Sequence, residues 1–230
     1  MLYGLLLTGE KYGVETVRIL DLPFVRLTVP EGKNPFLMRW MLRQGARALR
    51  RQGIQQAVFP AEYRFRELLE KEGIFPVSTR KLREEIAAEW ISQILRSRGM
   101  GAAQTTVAVE AELLSAEVVR TVTELSLRHR YVYLLVPRGG EILARRLRRE
   151  YGVSLQTSPG NGADVLVRFG EGSGSGKILT LDVWDESVPL PPLILPPNQE
   201  QALPAGAERG QLIAALRSSG ALKHISVGQI

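Results

Sequence analysis

Apolar and polar positions recur with two different periods along the chain, and each change of period predicts an element. Residues 3–7 form a short apolar run followed by Gly9 and Gly13, and residues 14–20 are the next strand-like segment. In residues 24–29 the alternation is clean: Val25, Leu27 and Val29 point one way, Phe24, Arg26 and Thr28 the other. Three short strands joined by turns predict an antiparallel β-meander. From Asn34 the period lengthens. Asn34 and Pro35 are a cap and first-turn signal for a helix over 35–52, closed by Gly53. A strand at 57–59, a helix at 61–72 and a strand at 74–77 follow. Ser78 or Thr79 then caps a long helix in which Leu82, Ile86, Trp90 and Ile94 make an i, i+4 stripe, stopped by Gly99.

The strand–helix rhythm continues with a strand at 105–111, a helix at 115–129 and an apolar, β-prone strand at 131–136. A helix at 140–151 and strands at 153–156, 163–169 and 177–184 complete it. The run at 131–136 predicts a central parallel strand buried on both faces. The last two strands, with no helix between them, predict an antiparallel edge hairpin. The fold class is therefore α/β: a β-meander with mainly parallel α/β layers, then a Rossmann-like half. The expected domains are 1–103, split from the next at Gly99–Ala103, then 104–188, and a Pro-rich arm with C-terminal tail at 189–230. That arm carries Pro189, Pro191, Pro192, Pro196, Pro197 and Pro204 and a short amphipathic helix at 208–217. It is expected to pack across the protein or to engage a second copy or another protein.

Composition removes whole classes of chemistry. There is no cysteine, which excludes disulfides, thiolate metal sites and Cys nucleophiles. The first ten residues have no basic leader, and no apolar run reaches the ~20 residues that cross a bilayer, so a soluble, cytoplasmic protein without membrane partners is expected. The net charge of +6 has one address: residues 32–61 hold six cations and no acid, and the other 200 residues hold 24 of each sign.

Four places carry candidate chemistry. On the helix at 35–52, Arg39, Arg43, Arg47, Arg50 and Arg51 fall within one arc of roughly 120° at 100° per residue, with Phe36 and Trp40 on or beside it and Leu37, Met38, Met41, Leu42, Ala48 and Leu49 opposite. Such a face suits an anionic partner, nucleic acid included, or is the solvated side of an amphipathic helix. At the carboxyl edge of the sheet, where open α/β folds bind ligands, stand Ser78, Thr79, Arg80 and Lys81 at one helix start and Arg138, Gly139 and Gly140 at another. These are the anion-binding candidates; their alternative role is as caps and turns. The corresponding turn after the strand at 105–111 has no glycine and carries Glu110 and Glu112, which would repel a pyrophosphate, so no dinucleotide cofactor is expected.

The glycine run 170–177 departs from a phosphate loop at Glu171 and Ile178, and reads as a hairpin connection. Asp182, Asp185 and Glu186 read as a solvated strand end rather than a metal or acid–base site. His129, between two arginines, reads as a surface helix-end residue, and His224 has no partner motif. No catalytic residue is assigned and no cofactor or metal is expected. The functional expectation is a non-catalytic binding or scaffold protein with a degenerate nucleotide-binding-like fold. Its alternatives are an enzyme for a small anionic metabolite in an inter-domain cleft and a nucleic-acid binder using the Arg helix.

Overall fold

The computed structural model describes residues 2–30, 34–158, 162–170 and 178–230. The chain divides into two compact units, Met1–Thr79 with Leu195–Ile225 and Arg80–Ile194 with Ser226–Ile230. The first opens with β1 (Tyr3–Gly9), β2 (Gly13–Ile19), β3 (Leu22–Pro30), α1 (Pro35–Arg51), β4 (Gln56–Val58), α2 (Arg66–Lys71) and β5 (Phe75–Pro76). Its sheet has the order β2-β3-β1-β4-β5. β2 and β3 are the expected hairpin, turned by Leu20 and Asp21, both with positive φ (47° and 64°), as a two-residue turn of this kind requires. The meander is corrected: β1 lies parallel to both β3 and β4. The physical reason is burial. Tyr3, Gly4, Leu5 and Leu6 are all buried, so β1 needs cover on both faces and an interior place, whereas β2 carries exposed polar residues and takes the edge. Gly4 allows the close approach, since a Cβ there would stand 2.8 Å from that of Ala57.

Asn34 caps α1, its Oδ1 accepting from Phe36 N at 3.0 Å and Leu37 N at 3.4 Å, with Pro35 as the first helical residue. The helix buries Met38, Leu42, Gly45, Ala46 and Leu49 against Leu6, Val25 and Leu27 of the sheet. Leu37 departs from expectation and is 47% exposed, because it lies one residue outside the buried arc. The helix expected at 61–72 shrinks to α2. Residues 60–65 are irregular instead: Glu62 has φ 50°, and Tyr63 packs edge-on against Phe59 and Phe65 at 6.2 and 5.9 Å. Contact between Tyr63 and Phe65, two residues apart, is one that a helix does not provide.

The second unit contains α3 (Arg80–Ser97), β6 (Thr106–Ala111), α4 (Ala116–Arg128), β7 (Tyr131–Leu135), α5 (Gly140–Tyr151), β8 (Leu155–Gln156), β9 (Val165–Phe169), β10 (Leu179–Asp182) and β11 (Leu193–Ile194). Its main sheet has five strands, all parallel, in the order β10-β9-β6-β7-β8. β7 is internal, as its apolar run predicts, although β6 holds the middle. The edge hairpin is corrected: β10 pairs with β9 in parallel, so the two are not arms of one hairpin. Residues 171–177 of the glycine run lie outside the described residues. The division between units falls before α3 rather than at 99–103. The helix packs on α4, where Arg120 Nη2 donates to Glu84 O at 3.2 Å, and the guanidinium of the buried Arg83 donates to the carbonyls of Glu186 and Val188. His129 is a further correction. It is buried at the C-terminus of α4, and burial, more than Arg128, holds its imidazole below the usual histidine range.

The expected Pro-rich arm is folded. After β11 come α6 (Pro197–Gln201), α7 (Arg209–Ser218) and β12 (Ser226–Val227). The Glu208 carboxylate caps α7, accepting from Gly210 N and Gln211 N, while Glu208 N donates to Phe59 O at 2.7 Å. Phe59 N in turn donates to Gln211 Oε1 at 2.9 Å, and Leu212, Ile213 and Leu216 are buried in the first unit. β12 returns to pair antiparallel with β11. Among the described residues no helix is long and apolar enough to cross a membrane.

Candidate functional site

The strand order of the second unit creates a crevice. The chain runs outward from β6 through β7 to β8, then returns to place β9 and β10 on the other side of β6. Between β6 and β9 the crossovers diverge, and there the carboxyl ends of the strands leave space for a ligand. A cleft of about 650 Å³ occupies this position. Its walls are Glu110 and Glu112 at the end of β6, Val136 and Pro137 after β7, Thr157 after β8, and Arg168 and Gly170 at the end of β9. Ala111, Leu135 and Phe169 supply an apolar floor.

Strand register sets its charges. Glu110 is the cross-strand partner of Arg168, and Arg168 that of Asp182, so an acid–base–acid row crosses three parallel strands. Arg168 Nε donates to Glu110 Oε2 at 2.9 Å, and Arg168 Nη1 lies 3.9 Å from Asp182 Oδ2. Asp182 is not the solvated strand end that its sequence suggests, because its side chain is only 22% exposed. Burial raises its carboxyl above the ordinary value, against the Trp184 N–H and the Arg168 guanidinium, which favour the charged form. Glu112 lies across the cleft against Gly170, where a Cβ would stand 3.5 Å from Glu112 Cγ and 3.6 Å from its Oε1. A carboxylate therefore borders the space between the first strand and its returning neighbour. Among the described residues the lining holds two acids and one cation, a balance that favours hydroxyl or ammonium donors over phosphate.

The anion-binding candidates lie elsewhere. Arg80 N donates to Glu186 Oε1 at 2.9 Å, its Nε to Glu84 Oε1 at 3.3 Å, and its guanidinium stacks on the Trp184 ring at 3.4 Å. Ser78 and Thr79 stand just before it in the chain, the first exposed and the second buried. Gly139 is the left-handed N-cap of α5, with φ 84°, and Gly140 is its buried first residue, where a Cβ would meet Val136 Cγ2 at 3.2 Å. Arg138 is exposed and makes no ion pair among the described residues. None of these six lines the cleft, although Pro137 does. Asp185 accepts from Ser187 N and Oγ at 2.9 and 2.6 Å. Among the described residues no three His, Asp or Glu side chains are grouped so as to hold a metal ion.

On α1, Arg43 Nε lies 3.4 Å from Glu72 Oε1, and Arg50 Nη1 donates to Glu72 O at 3.3 Å. Arg39, Arg47 and Arg51 are exposed without ion pairs among the described residues. Phe36 is 81% and Trp40 53% exposed on the same face. Sequence reasoning missed Arg168 and the alignment of Glu110 with it. The available signal was a charge near the carboxyl end of two otherwise apolar strands, in Val-Ala-Val-Glu-Ala and Val-Leu-Val-Arg-Phe.

No protein-family profile and no curated protein matches the chain. Among solved structures it is similar to L-tryptophan dehydrogenase from Nostoc punctiforme, at 14% identity over 64% of this chain and 44% of that one, with a TM-score of 0.29. It is similar to a shikimate 5-dehydrogenase-like protein, at 15% identity over 76% of this chain and 68% of that one, with a TM-score of 0.29. Arylmalonate decarboxylase matches at 14% identity over 100% of this chain and 97% of that one, with a TM-score of 0.30. The chain spans less than half the length of the tryptophan dehydrogenase.

Proposed function

We propose that the protein is a small-molecule-binding protein whose second unit takes an uncharged or cationic ligand bearing hydroxyl or amino groups. A nucleoside without phosphates is the class that suits the cleft between β6 and β9. The observation that carries this reading is the Glu112 carboxylate lying against Gly170. A pyrophosphate in that place would meet this charge, and the preceding turn has no glycine to let its backbone approach. Glu110, held by Arg168, is an acceptor for ribose hydroxyls, and the Leu135 and Phe169 floor takes a flat base. The function proposed is binding of such a ligand by these groups. Adenosine and guanosine are expected to raise the thermal unfolding temperature, AMP and ADP to do so less, and Glu110→Gln to reduce the nucleoside shift at least about fivefold. Equal stabilisation by the phosphorylated forms would exclude this reading.

A second reading rests on the exposed face of α1. Phe36, Trp40, Arg47 and Arg51 are open to solvent, and their arrangement suits stacking and phosphate neutralisation along a single-stranded nucleic acid. Because Arg43 is already paired with Glu72, Arg47 and Arg51 are the informative positions. Fluorescence anisotropy with oligo-dT at low salt is expected to show binding that weakens by about tenfold or more in Arg47→Glu/Arg51→Glu. No binding at low ionic strength removes this reading.

A further inference from the structure

The first unit carries a cleft of its own, of about 570 Å³, at the carboxyl ends of β1 and β3, closed by residues 60–65 beyond β4. Thr8, Val29, Met38, Tyr63, Arg64 and Phe65 are among its lining. Tyr63 stands edge-on between Phe65 and the buried Phe59, and the Tyr63 and Phe65 rings line one side of the cleft. Among the described residues Arg64 is held by soft contacts. Its Nη2 donates to Met38 Sδ at 3.5 Å and its guanidinium sits 4.7 Å from the centre of the Phe65 ring. No carboxylate pairs with it among the described residues, although exposed Glu62 stands at the same rim. A thioether and a ring face orient a guanidinium but do not neutralise it.

The second polar group is the Tyr63 hydroxyl, which makes no hydrogen bond among the described residues. Burial pushes its pKa to about 12, so it remains a neutral donor across the physiological range. The amides at the start of α1 do not contribute, because Asn34 Oδ1 already accepts from Phe36 N and Leu37 N. An oriented cation, a phenol donor and two lining rings are complementary to one kind of molecule.

We infer that this cleft is a second ligand site, and that it takes a small flat organic anion of the aromatic monocarboxylate class. The carboxylate lies on Arg64 and within reach of the Tyr63 hydroxyl, and the ring packs against Tyr63 and Phe65. Arginine suits a carboxylate because its planar fork offers paired N–H donors, and the aromatic wall favours a planar body over an aliphatic one. The inference stands apart from the nucleoside reading, since it uses different residues of a different unit.

The test is a titration of the full chain by isothermal calorimetry with 3-phenylpropionate, its neutral amide 3-phenylpropanamide, and inorganic phosphate. The expected result is saturable binding of the carboxylate, about tenfold or more weaker binding of the amide and of phosphate, and a similar loss in Arg64→Met. Tyr63→Phe is expected to weaken binding by about threefold, and Glu110→Gln to leave it unchanged. Both Arg64 and the Tyr63 hydroxyl can be altered without removing a buried apolar group, and thermal unfolding of each variant checks its fold. Equal binding of the amide reveals an apolar crevice only, and equal binding of phosphate an isolated surface cation. Either outcome overturns the inference, as does the absence of binding or its persistence in Arg64→Met.

Discussion

Replacing Arg168 with Met should lower the stability of the protein by about 2 kcal/mol in urea unfolding, because it removes a buried guanidinium from the largely buried Asp182 and from Glu110, whose 45% exposure lets water screen part of the loss. Methionine keeps much of the apolar stem, so the loss reports the guanidinium. Two acids lose their partner: Glu110, now bonded at 2.9 Å, and the largely buried Asp182, 3.9 Å away. The pH dependence gives the loss a signature. Burial already raises the Asp182 carboxyl, and removal of the neighbouring cation raises it further. The folded state of the variant then binds a proton more tightly than the unfolded chain does, so stability rises as pH falls through the raised folded-state value towards the ordinary one. Stability measured at pH 8 and pH 5 should therefore favour pH 5 more in the variant than in the parent. An unchanged unfolding midpoint would mean that the row contributes no net stability.

Arg83→Met should have an effect of similar size for a different reason. Arg83 is 2% exposed, and its guanidinium donates to the carbonyls of Glu186 and Val188 and lies 5.6 Å from the Trp90 ring. It ties the chain after β10 to α3. Losing those two charge-assisted hydrogen bonds costs about 1.5–3 kcal/mol for each, so a total of about 3 kcal/mol is expected. Hydrogen exchange should also increase in 185–195 while β6 and β7 remain protected. Uniform loss of protection over the whole unit would show instead that Arg83 acts through the core and not through this segment.

The parts of the fold that could be read from sequence are those set by local period and capping. Asn34-Pro35 starts α1, Ser115 starts α4 with its hydroxyl accepting from Val118 N, and Gly152 ends α5 in a left-handed conformation. Strand direction and neighbourhood are not local. β1 and β10 each fit several partners by pattern, and only the burial of β1 on both faces, which depends on α1, separates a parallel place from a meander. The tail was hidden for the same reason. Its prolines suggest an extended arm, but Leu212, Ile213 and Leu216 can be buried only once Phe59 and Gln211 are brought together across more than 150 residues of chain, a separation of 152. Position in an α/β sheet directs attention to the carboxyl-edge turns. It did not show that the turn carrying Glu110 and Glu112, which looked unsuitable for phosphate, borders the cleft, nor that Arg168 would stand beside Glu110.

The reading of the second unit as a binder of phosphate-free, hydroxyl-bearing ligands rests on one cleft and is most directly tested there. In a titration of isotope-labelled protein with adenosine, followed by amide resonances, saturable shifts are expected at Glu112, Thr157 and Gly170, with AMP producing weaker changes at the same residues. No shift at these positions up to millimolar adenosine, or tighter binding of AMP than of adenosine, would contradict the account.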